Sequence, residues 1–236
     1  MSTTPEMRTT TVPIKQDVRA RQNADAERFR QELDRRGILC VNMISSPGSG
    51  KTALLEATAK HWNGRIKMGV LVGDLATNRD ADRLSPFVPA RQLTTGGACH
   101  LEIDLVKRGW EEIEREPLDV LIIENVGNLV CPSSFYLGEH LRVVLLSVTE
   151  GDDKPGKYPK AFRTSDVCII SKTDLLPYLP FSVEAAMQDA HRIRPDQEIL
   201  TVSSLTGAGI SDWCDLLESR RNHILRQNVD TPIATT

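Results

Sequence analysis

Apolar and polar positions along the chain predict strands separated by helices. Short apolar runs of the kind found in strands buried on both faces occur at 38–44, 67–72, 90–93, 120–123, 143–148, 167–170 and 199–202. Apolar residues at helical spacing occur at 53–62, 101–114, 183–191 and 210–221. Strands that alternate with helices favour right-handed crossovers and a parallel arrangement. We therefore predict a three-layer α/β fold, with helices on both faces of a mainly parallel sheet.

The ends of the chain differ from this central pattern. Residues 1–36 combine a polar, Thr-rich and Pro-rich tail with a charged run, from Gln16 onward, that predicts an amphipathic helix at the edge of the domain. The thin apolar stripe of this helix consists of Val18, Ala26, Phe29 and Leu33. We assign residues 37–226 to one domain and residues 227–236 to a loose C-terminal tail.

Composition excludes several classes of function. The formal net charge of −3, with both signs interspersed, argues against a nucleic-acid or membrane-surface partner. No stretch reaches the roughly 20 apolar residues of a membrane span, and the first residues do not form the apolar core of a signal peptide. Five scattered cysteines do not form a disulfide framework. We expect a cytoplasmic protein with reduced thiols.

A phosphate-binding loop follows the first predicted strand, in the run SSPGSGKT at 45–52. Glycine and small residues let backbone N–H groups approach a phosphate, an ammonium group reaches the outer phosphates, and a hydroxyl ligates magnesium. The predicted binding residues are Pro47, Gly48, Ser49, Gly50, Lys51 and Thr52. The pattern is that of P-loop nucleotide triphosphatases, except that Ser45 replaces the first glycine. A chance Gly/Ser loop is the alternative.

The identity of the base is predicted by two later loops. Ser171, Lys172 and Asp174 follow a strand in the arrangement of the NKxD guanine motif, whose carboxylate accepts hydrogen bonds from guanine and whose lysine stem covers the ring. Ser203 and Ser204 begin a loop that resembles the accompanying SAxTG loop. GTP is therefore favoured over ATP. The alternative is an ordinary turn with a solvated aspartate.

Acidic groups for magnesium and catalysis are expected at two strand ends. Glu124 and Gly127 follow the strand 120–123, where GTPases keep an acidic residue near magnesium and a glycine near the γ-phosphate. Asp74 is the second candidate for the magnesium shell or for orienting the attacking water. We predict Lys51, Asp74 and Glu124 as catalytic residues. The magnesium ligands are predicted to be Thr52, Asp74 and Glu124. A solvated acid at the strand end is the alternative for Glu124.

Three further residues suggest a soft metal. Cys99 and His100 precede a predicted helix, and Cys131 follows the Glu124 to Gly127 segment. Thiolate and imidazole suit nickel or zinc, and on loops beside a nucleotide they can link metal affinity to nucleotide state. The alternative is that these cysteines fill the core. Cys40, Cys168 and Cys214 are assigned to packing.

The chain resembles the HypB-type hydrogenase maturation GTPases, within the nickel-insertion branch of P-loop proteins of the SIMIBI type. The similarity runs from about 37 to 217 and rests on blocks in the family's order: SSPGSGKT, GDLATNRDADR, TTGGACHLE, ENVGNLVCP, LLSVTEGDDKPGKYP, SKTDLLPY and SSLTGAGISDW. The resemblance implies a GTPase that uses GTP and Mg²⁺. It also implies that Ni²⁺ or Zn²⁺ is bound through Cys99, His100 and Cys131, at a nucleotide-dependent homodimer interface. Nickel would then be delivered to a hydrogenase precursor.

Departures from the family pattern keep alternatives open. Val72 stands where the family usually has a glutamate, and Ser171 replaces an asparagine, so hydrolysis rate and guanine selectivity are open. Residues 1–36 contain neither the cysteine motif nor the histidine-rich stretch of many members, which implies that nickel comes from a partner protein. A client other than hydrogenase, a small-molecule kinase or ligase, and a non-hydrolysing scaffold are the remaining hypotheses.

Overall fold

The computed structural model describes residues 13–74 and 79–230. The strands are β1 (Leu39–Ser45), β2 (Met68–Asp74), β3 (Ala90–Thr94), β4 (Val120–Gly127), β5 (Leu141–Ser147), β6 (Val167–Ser171) and β7 (Glu198–Thr201). The helices are α1 (Pro13–Arg35), α2 (Lys51–Trp62), α3 (Arg79–Leu84), α4 (Ile103–Ile113), α5 (Lys154–Lys157), α6 (Pro159–Arg163), α7 (Val183–Ile193) and α8 (Ile210–Asp230). Two 3₁₀ turns lie at Pro132–Ser134 and Thr173–Tyr178.

The seven strands form one sheet in the order β3-β2-β4-β1-β5-β6-β7. Every strand pair within it is parallel, so the predicted α/β fold is confirmed. Val41 of β1 pairs with Ile122 of β4 and with Leu141 of β5, which places β1 at the centre. None of the described helices is long and apolar enough to cross a membrane.

Alternate residues of the central strand face opposite halves of the core. Val41 and Met43 belong to the apolar cluster that includes residues of α2 and α8. Cys40 belongs to the cluster formed with α1 and α4. Because successive side chains of a strand point to opposite faces, helices cover both sides of the sheet. This confirms the predicted three layers.

Helix α1 packs through part of its predicted apolar stripe. Ala26, Phe29 and Leu33 are buried, and the Phe29 ring meets Trp110 of α4 edge to face at a centroid distance of 6.0 Å. Val18 is 50% exposed, so its assignment to the packed stripe was wrong. Among the described side chains of the helix, the buried part of the apolar stripe therefore lies in the second half, while Arg19 and Gln22 of the first half make polar contacts.

Several element boundaries differ from those predicted. Strand β4 continues to Gly127, so Glu124 lies within the strand rather than in a loop after it. Helix α8 continues to Asp230 instead of ending at Arg221, and residues 227–230, expected in a loose tail, are helical. The loop expected between Asp74 and Asp80 lies partly outside the described residues. In both β4 and α8, regular backbone hydrogen bonding continues into polar sequence, where apolar periodicity cannot mark the end of the element.

The topology brings the candidate chemistry to one edge of the sheet. The phosphate-binding loop follows β1, the Cys99–His100 segment follows β3, and the guanine-motif residues follow β6. All these strands are parallel, so their carboxyl ends share that edge. The order also changes direction at β1, which is flanked by β4 and β5, and ligands of open α/β sheets bind at such a point.

Candidate nucleotide site and metal site

The loop between β1 and α2 has the backbone expected of a phosphate cradle. Gly48 and Gly50 have φ angles of 72° and 96°, in the left-handed region that glycine adopts at little cost. Helix α2 begins at Lys51, directly after Gly50, so its free N–H groups face the loop. Partial positive charge and glycine backbone therefore meet at one place, as anion binding requires.

Ser45 replaces the glycine of the usual phosphate-loop pattern, and the structure gives it a partner. The Lys51 Nζ donates a 2.8 Å hydrogen bond to Ser45 Oγ, and Ser45 Oγ donates to the Ser46 carbonyl at 2.7 Å. Burial lowers the pKa of Lys51, while the charges of Glu124 and Asp74 act in the opposite direction. The serine thus holds the ammonium group inside the loop.

Glu124 is a buried carboxylate with one unsatisfied oxygen. The Thr52 hydroxyl donates a 3.0 Å hydrogen bond to Glu124 Oε1, whereas Oε2 has no hydrogen-bond partner among the described residues. Burial raises the pKa of Glu124 to about 7, against the attraction of Lys51. A carboxylate oxygen and a hydroxyl are hard donors, so this pair fits Mg²⁺. Asp74 ends β2 and contributes its charge to the same region.

Gly127 is required by a close approach of two backbones. A Cβ at Gly127 would lie 3.0 Å from the Pro47 Cα. Any side chain at this position would therefore push the phosphate-binding loop away from the end of β4. Contact between the two segments places the predicted γ-phosphate glycine against the predicted cradle.

The base-recognition loop is braced against the phosphate-binding loop. Ser171 Oγ donates a 2.7 Å hydrogen bond to the Ser49 carbonyl, and Lys172 Nζ donates a 2.6 Å bond to the Gly48 carbonyl. Lys172 has a φ of 60°, so its backbone turns sharply after β6. Although Ser171 departs from the expected asparagine, its hydroxyl ties the two loops together.

Asp174 is oriented by the second base loop. Ser203 Oγ donates a 2.6 Å hydrogen bond to Asp174 Oδ1, and the same hydroxyl accepts the Thr206 N–H at 3.2 Å. Ser203 is buried, while Ser204 is half-buried. The structure thus brings together the two predicted base loops, which are 29 residues apart at these positions.

Cys99, His100 and Cys131 converge beyond the ends of β3 and β4. One ligand atom from each residue lies within 4.8 Å of the others. The two sulfur atoms are 2.6 Å apart, and Cys99 Sγ lies 3.8 Å from His100 Nδ1. Cys99 is exposed and Cys131 half-buried, unlike Cys40, Cys168 and Cys214, which are buried as predicted. The alternative that Cys99 and Cys131 fill the core is wrong.

The surroundings of His100 favour a neutral imidazole. Its ring stacks on Phe135 with centroids 3.8 Å apart and planes 16° from parallel. Burial lowers the pKa of His100, while Glu102 acts in the opposite direction. The contact with Cys131 raises the pKa of the exposed Cys99 thiol. Two thiols and an imidazole form a donor set for a soft divalent metal.

Comparison with known proteins agrees with this geometry. Residues 40–201 match the family described as CobW/HypB/UreG, nucleotide-binding domain. The chain is 42% identical over 220 residues to the hydrogenase maturation factor HypB of Azotobacter chroococcum, covering 93% of this chain and 72% of that protein. The chain belongs to the HypB family.

HypB proteins of other organisms show the same relationship in sequence and in structure. The hydrogenase/urease maturation factor HypB of Helicobacter pylori is 41% identical over 218 residues, covering 90% of this chain and 89% of that protein. A crystal structure of HypB from Helicobacter pylori in complex with nickel superimposes with a TM-score of 0.83 and 41% identity. It covers 86% of this chain and 96% of that chain. The P-loop fold predicted for this HypB-family chain is thus confirmed.

In this HypB-family chain a buried polar network contacts the two candidate metal-binding segments, one with Cys99 and His100 and the other with Cys131. Asn125 Nδ2 donates to Asn42 Oδ1 at 3.2 Å, and Asn42 Nδ2 donates to Glu139 Oε1 at 3.2 Å. The Asn125 Oδ1 accepts the Leu101 N–H at 3.3 Å, directly after His100. One end of the network therefore holds the Cys99–His100 segment.

The other end of this network holds the segment that contains Cys131. Arg142 pairs with Glu139 and donates to the carbonyls of Ser133 and Phe135, at 3.3 Å and 2.7 Å. All four network side chains, those of Asn42, Asn125, Glu139 and Arg142, are less than 10% exposed. Sequence reasoning missed these residues. Asn42 within an apolar strand and Arg142 before another were the available signals, because buried polar groups need partners.

Asn128 connects the two candidate sites. Its backbone forms an antiparallel bridge with Ser45 at the start of the phosphate-binding loop. Its side-chain Nδ2 donates to the Cys99 carbonyl at 3.2 Å, and its Oδ1 accepts the Val130 N–H at 2.9 Å. One residue thus touches the nucleotide loop and both metal segments.

Proposed function

We propose that this chain is a GTP-hydrolysing metallochaperone that binds nickel or zinc and assists nickel insertion into a metalloenzyme, in the first instance a [NiFe]-hydrogenase. The observation that carries the proposal is the cluster of Cys99, His100 and Cys131 beside a braced phosphate-binding loop. Neither feature alone distinguishes a metallochaperone from other nucleotide-binding or metal-binding proteins. Their juxtaposition on one edge of the sheet supports a metallochaperone.

GTP binding is assigned to the two braced loops. Backbone N–H groups of residues 48–52 and the Lys51 ammonium hold the phosphates. Asp174 accepts hydrogen bonds from the guanine N1–H and N2–H₂, and its orientation by Ser203 supports this role. Lys172 covers the base with its aliphatic stem, and Ser204 lines the end of the same pocket.

Hydrolysis is assigned to Lys51, Asp74 and Glu124. Lys51 neutralises charge on the transferred phosphoryl group, and Gly127 places its backbone beside that group. Thr52 and Glu124 would hold Mg²⁺ together with Asp74. When bound, Mg²⁺ supplies positive charge between the phosphates. The sequence identifies no glutamine or arginine finger, so turnover is expected to be slow and to act as a switch.

Nickel is the proposed cargo, with zinc as a second occupant of the same donors. HypB from Helicobacter pylori has been crystallised with nickel. Three ligands from one chain leave room for further ligands, and Cys99 is exposed. A homodimer that forms around this surface in a GTP-dependent or metal-dependent manner would complete the coordination. We propose a nickel-delivery protein and a client nickel enzyme as partners.

Loss of nucleotide binding tests the first half of the proposal. Lys51→Ala removes the ammonium group, and we expect GTP affinity to fall by about 10- to 150-fold, as for a lost hydrogen bond to a charged group. Lys60→Ala, on the exposed side of the same helix, is the matched control and should bind GTP like the unaltered chain. Undiminished GTP affinity in Lys51→Ala would overturn the nucleotide assignment.

Metal binding tests the second half. Cys99→Ala is expected to abolish stoichiometric binding of Ni²⁺ or Zn²⁺ while GTP affinity is unchanged, since Cys99 lies outside the phosphate-binding loop. Cys214→Ala removes a buried thiol and serves as the control. Titration with each metal, with and without GTP, reports metal binding. The mass of the protein in solution, measured during the same titrations, reports dimerisation. Equal metal uptake by Cys99→Ala would reject the site. Single-turnover GTP hydrolysis with and without nickel separates the switch from a non-hydrolysing scaffold.

A further inference from the structure

Glu102 lies beside the candidate metal ligand His100 but is not itself in the cluster. Its Oε1 is 3.7 Å from His100 Nε2. The backbone of Glu102 is fixed because it caps α4, and its carbonyl accepts the N–H groups of Leu105 and Val106 at 3.1 Å and 3.2 Å. The carboxylate is therefore carried by a rigid element at a defined place next to the imidazole.

The two nitrogens of His100 have different surroundings. Nδ1 faces the thiol of Cys99 at 3.8 Å. Nε2 is buried and has no hydrogen-bond partner among the described residues, and the Glu102 carboxylate lies 3.7 Å from it. A metal-bound imidazole usually donates its other N–H to a carboxylate or carbonyl, which fixes both its tautomer and its ring orientation.

Helix α1 holds the groups that surround this imidazole. Gln22 Nε2 donates to Glu102 Oε2 at 3.3 Å, which turns the other oxygen toward His100. Arg19 donates to the Ser134 carbonyl at 2.6 Å, and its guanidinium lies 5.8 Å from the centre of the Phe135 ring. The Phe135 ring in turn stacks on His100. The exposed first half of α1 thus contacts the surroundings of the metal site on two sides.

We propose that Glu102 is a positioning residue for the metal site: when metal binds, its carboxylate closes the 3.7 Å gap to His100 Nε2 and accepts the Nε2–H, which fixes Nδ1 as the metal-binding nitrogen, and Gln22 of α1 braces the carboxylate. This inference rests on the proposed metal-binding function. It assigns to the N-terminal helix a part in shaping that site. The carboxylate does not ligate the metal and is held behind the imidazole.

The test compares two variants of Glu102, one variant of Gln22 and a control variant, all in the full chain. Glu102→Ala removes the acceptor and is expected to weaken Zn²⁺ and Ni²⁺ binding by about 10- to 100-fold. Glu102→Gln keeps a carbonyl oxygen at the same place and should restore affinity to within a few-fold of the unaltered chain. Gln22→Ala, which removes only the brace, is expected to cause a smaller loss. Glu111→Ala removes one exposed charge from the far end of α4 and should change nothing.

A spectroscopic readout separates positioning from a general structural effect. In the Zn²⁺-loaded, ¹⁵N-histidine-labelled chain, the ring nitrogen shifts of His100 should show Nδ1 bound to metal and Nε2 protonated. In Glu102→Ala the ring nitrogen shifts should no longer show His100 bound to the metal through Nδ1 alone. Metal bound at Nε2, equal affinity in Glu102→Ala, or a loss in Glu102→Gln as large as in Glu102→Ala would each overturn the inference. Failure of the unaltered chain to bind either metal, or equal binding by Cys99→Ala, would instead overturn the proposed function beneath it.

Discussion

Ser203 donates a hydrogen bond of 2.6 Å to Asp174, although the two residues belong to loops that follow different strands. Because Ser203 is buried, the bond fixes the carboxylate in the absence of any base. The second carboxylate oxygen is left for a ligand. An aspartate oriented in this way accepts hydrogen bonds and cannot donate them when ionised, so it selects a base edge that carries donors.

Asp174→Asn is therefore expected to change the base that is bound. An amide presents an N–H group to the guanine donors, and we expect GTP affinity to fall by about 30-fold or more, as for one lost partner of a buried charged hydrogen bond. Xanthosine triphosphate has a carbonyl in place of the guanine amino group and should bind the variant better than GTP does.

Competition between the two nucleotides, measured by displacement of a fluorescent GTP analogue, checks this expectation. Asp212→Asn, an exposed substitution in the first turn of α8, should leave the preference for GTP unchanged. A variant at Asp174 that still preferred GTP to the xanthine nucleotide would assign base recognition to other residues.

The phosphate-binding loop and the predicted base loops could be located from the sequence because each motif occupies a few consecutive residues. Gly48 and Gly50 provide the backbone conformation that the phosphate-binding loop needs, Lys51 directly follows them, and the strand before them is buried throughout. The grouping of Cys99 with Cys131 required more, since it depends on which strand ends are neighbours in the sheet. The resemblance to a family supplied that information, and spacing alone did not.

The buried network around Asn125 was not predictable from the residues. Its members come from β1, β4, β5 and the segment just before β5, and their contacts depend on strand register, which apolar runs do not determine. An apolar run buried on both faces has no alternation that fixes its register. For the same reason the extension of β4 through Glu124 and Asn125 was missed: polar residues in a strand are expected at its end unless their partners are known.

Asn125→Leu should test the importance of this network for the metal site. Leucine fills a similar volume but leaves Asn42 Oδ1 and the Leu101 N–H without their partner, which costs about 1–3 kcal/mol of unfolding free energy for each of these two groups. Because Leu101 follows His100, we also expect weaker Zn²⁺ binding in the folded variant. Urea unfolding and a zinc titration measure the two effects.

Asn222→Leu is the matched control for that substitution, since Asn222 is exposed on α8 and makes no comparable contact. Its stability should stay within about 0.5 kcal/mol of the unaltered chain. Unchanged zinc affinity and unchanged stability in Asn125→Leu would show that the network supports neither metal segment.

We expect His140 to make the free energy of unfolding depend on pH, independently of either candidate site. Its Nδ1 accepts the Cys40 N–H at 2.9 Å and its Nε2 lies 2.8 Å from Asp34 Oδ1 of α1. Burial lowers the pKa of His140 from its ordinary value of 6.5, although Asp34 and Glu139 act in the opposite direction and Arg30 assists. The unfolded chain then binds the proton more readily than the folded chain does. The contribution of His140 to stability should therefore rise with pH up to about 6.5 and be lost below that value, opposite in sign to the contribution of Glu124, whose pKa is raised to about 7.

Urea unfolding at about pH 5.5 and about pH 7.5 measures this dependence. His140→Gln, which cannot be protonated in this range, should lack this contribution, so its stability at about pH 7.5 relative to about pH 5.5 should be lower than that of the unaltered chain. His61→Gln, at an exposed position on α2, is the control and should keep the contribution of His140. A difference of the same size in His140→Gln and in the unaltered chain would assign the acid sensitivity to another group.

The bonds of Asn128 have a mechanical consequence. Its main chain pairs with Ser45 and its side-chain amide donates to the Cys99 carbonyl, so this single residue links the phosphate-binding loop to the Cys99–His100 segment. If polyphosphate binding shifts Ser45, we therefore expect either that the Cys99 segment moves with it or that one of these two contacts of Asn128 breaks. A backbone amide at residue 128 that exchanges hydrogen faster when nucleotide is bound would indicate that the contact with Ser45 breaks.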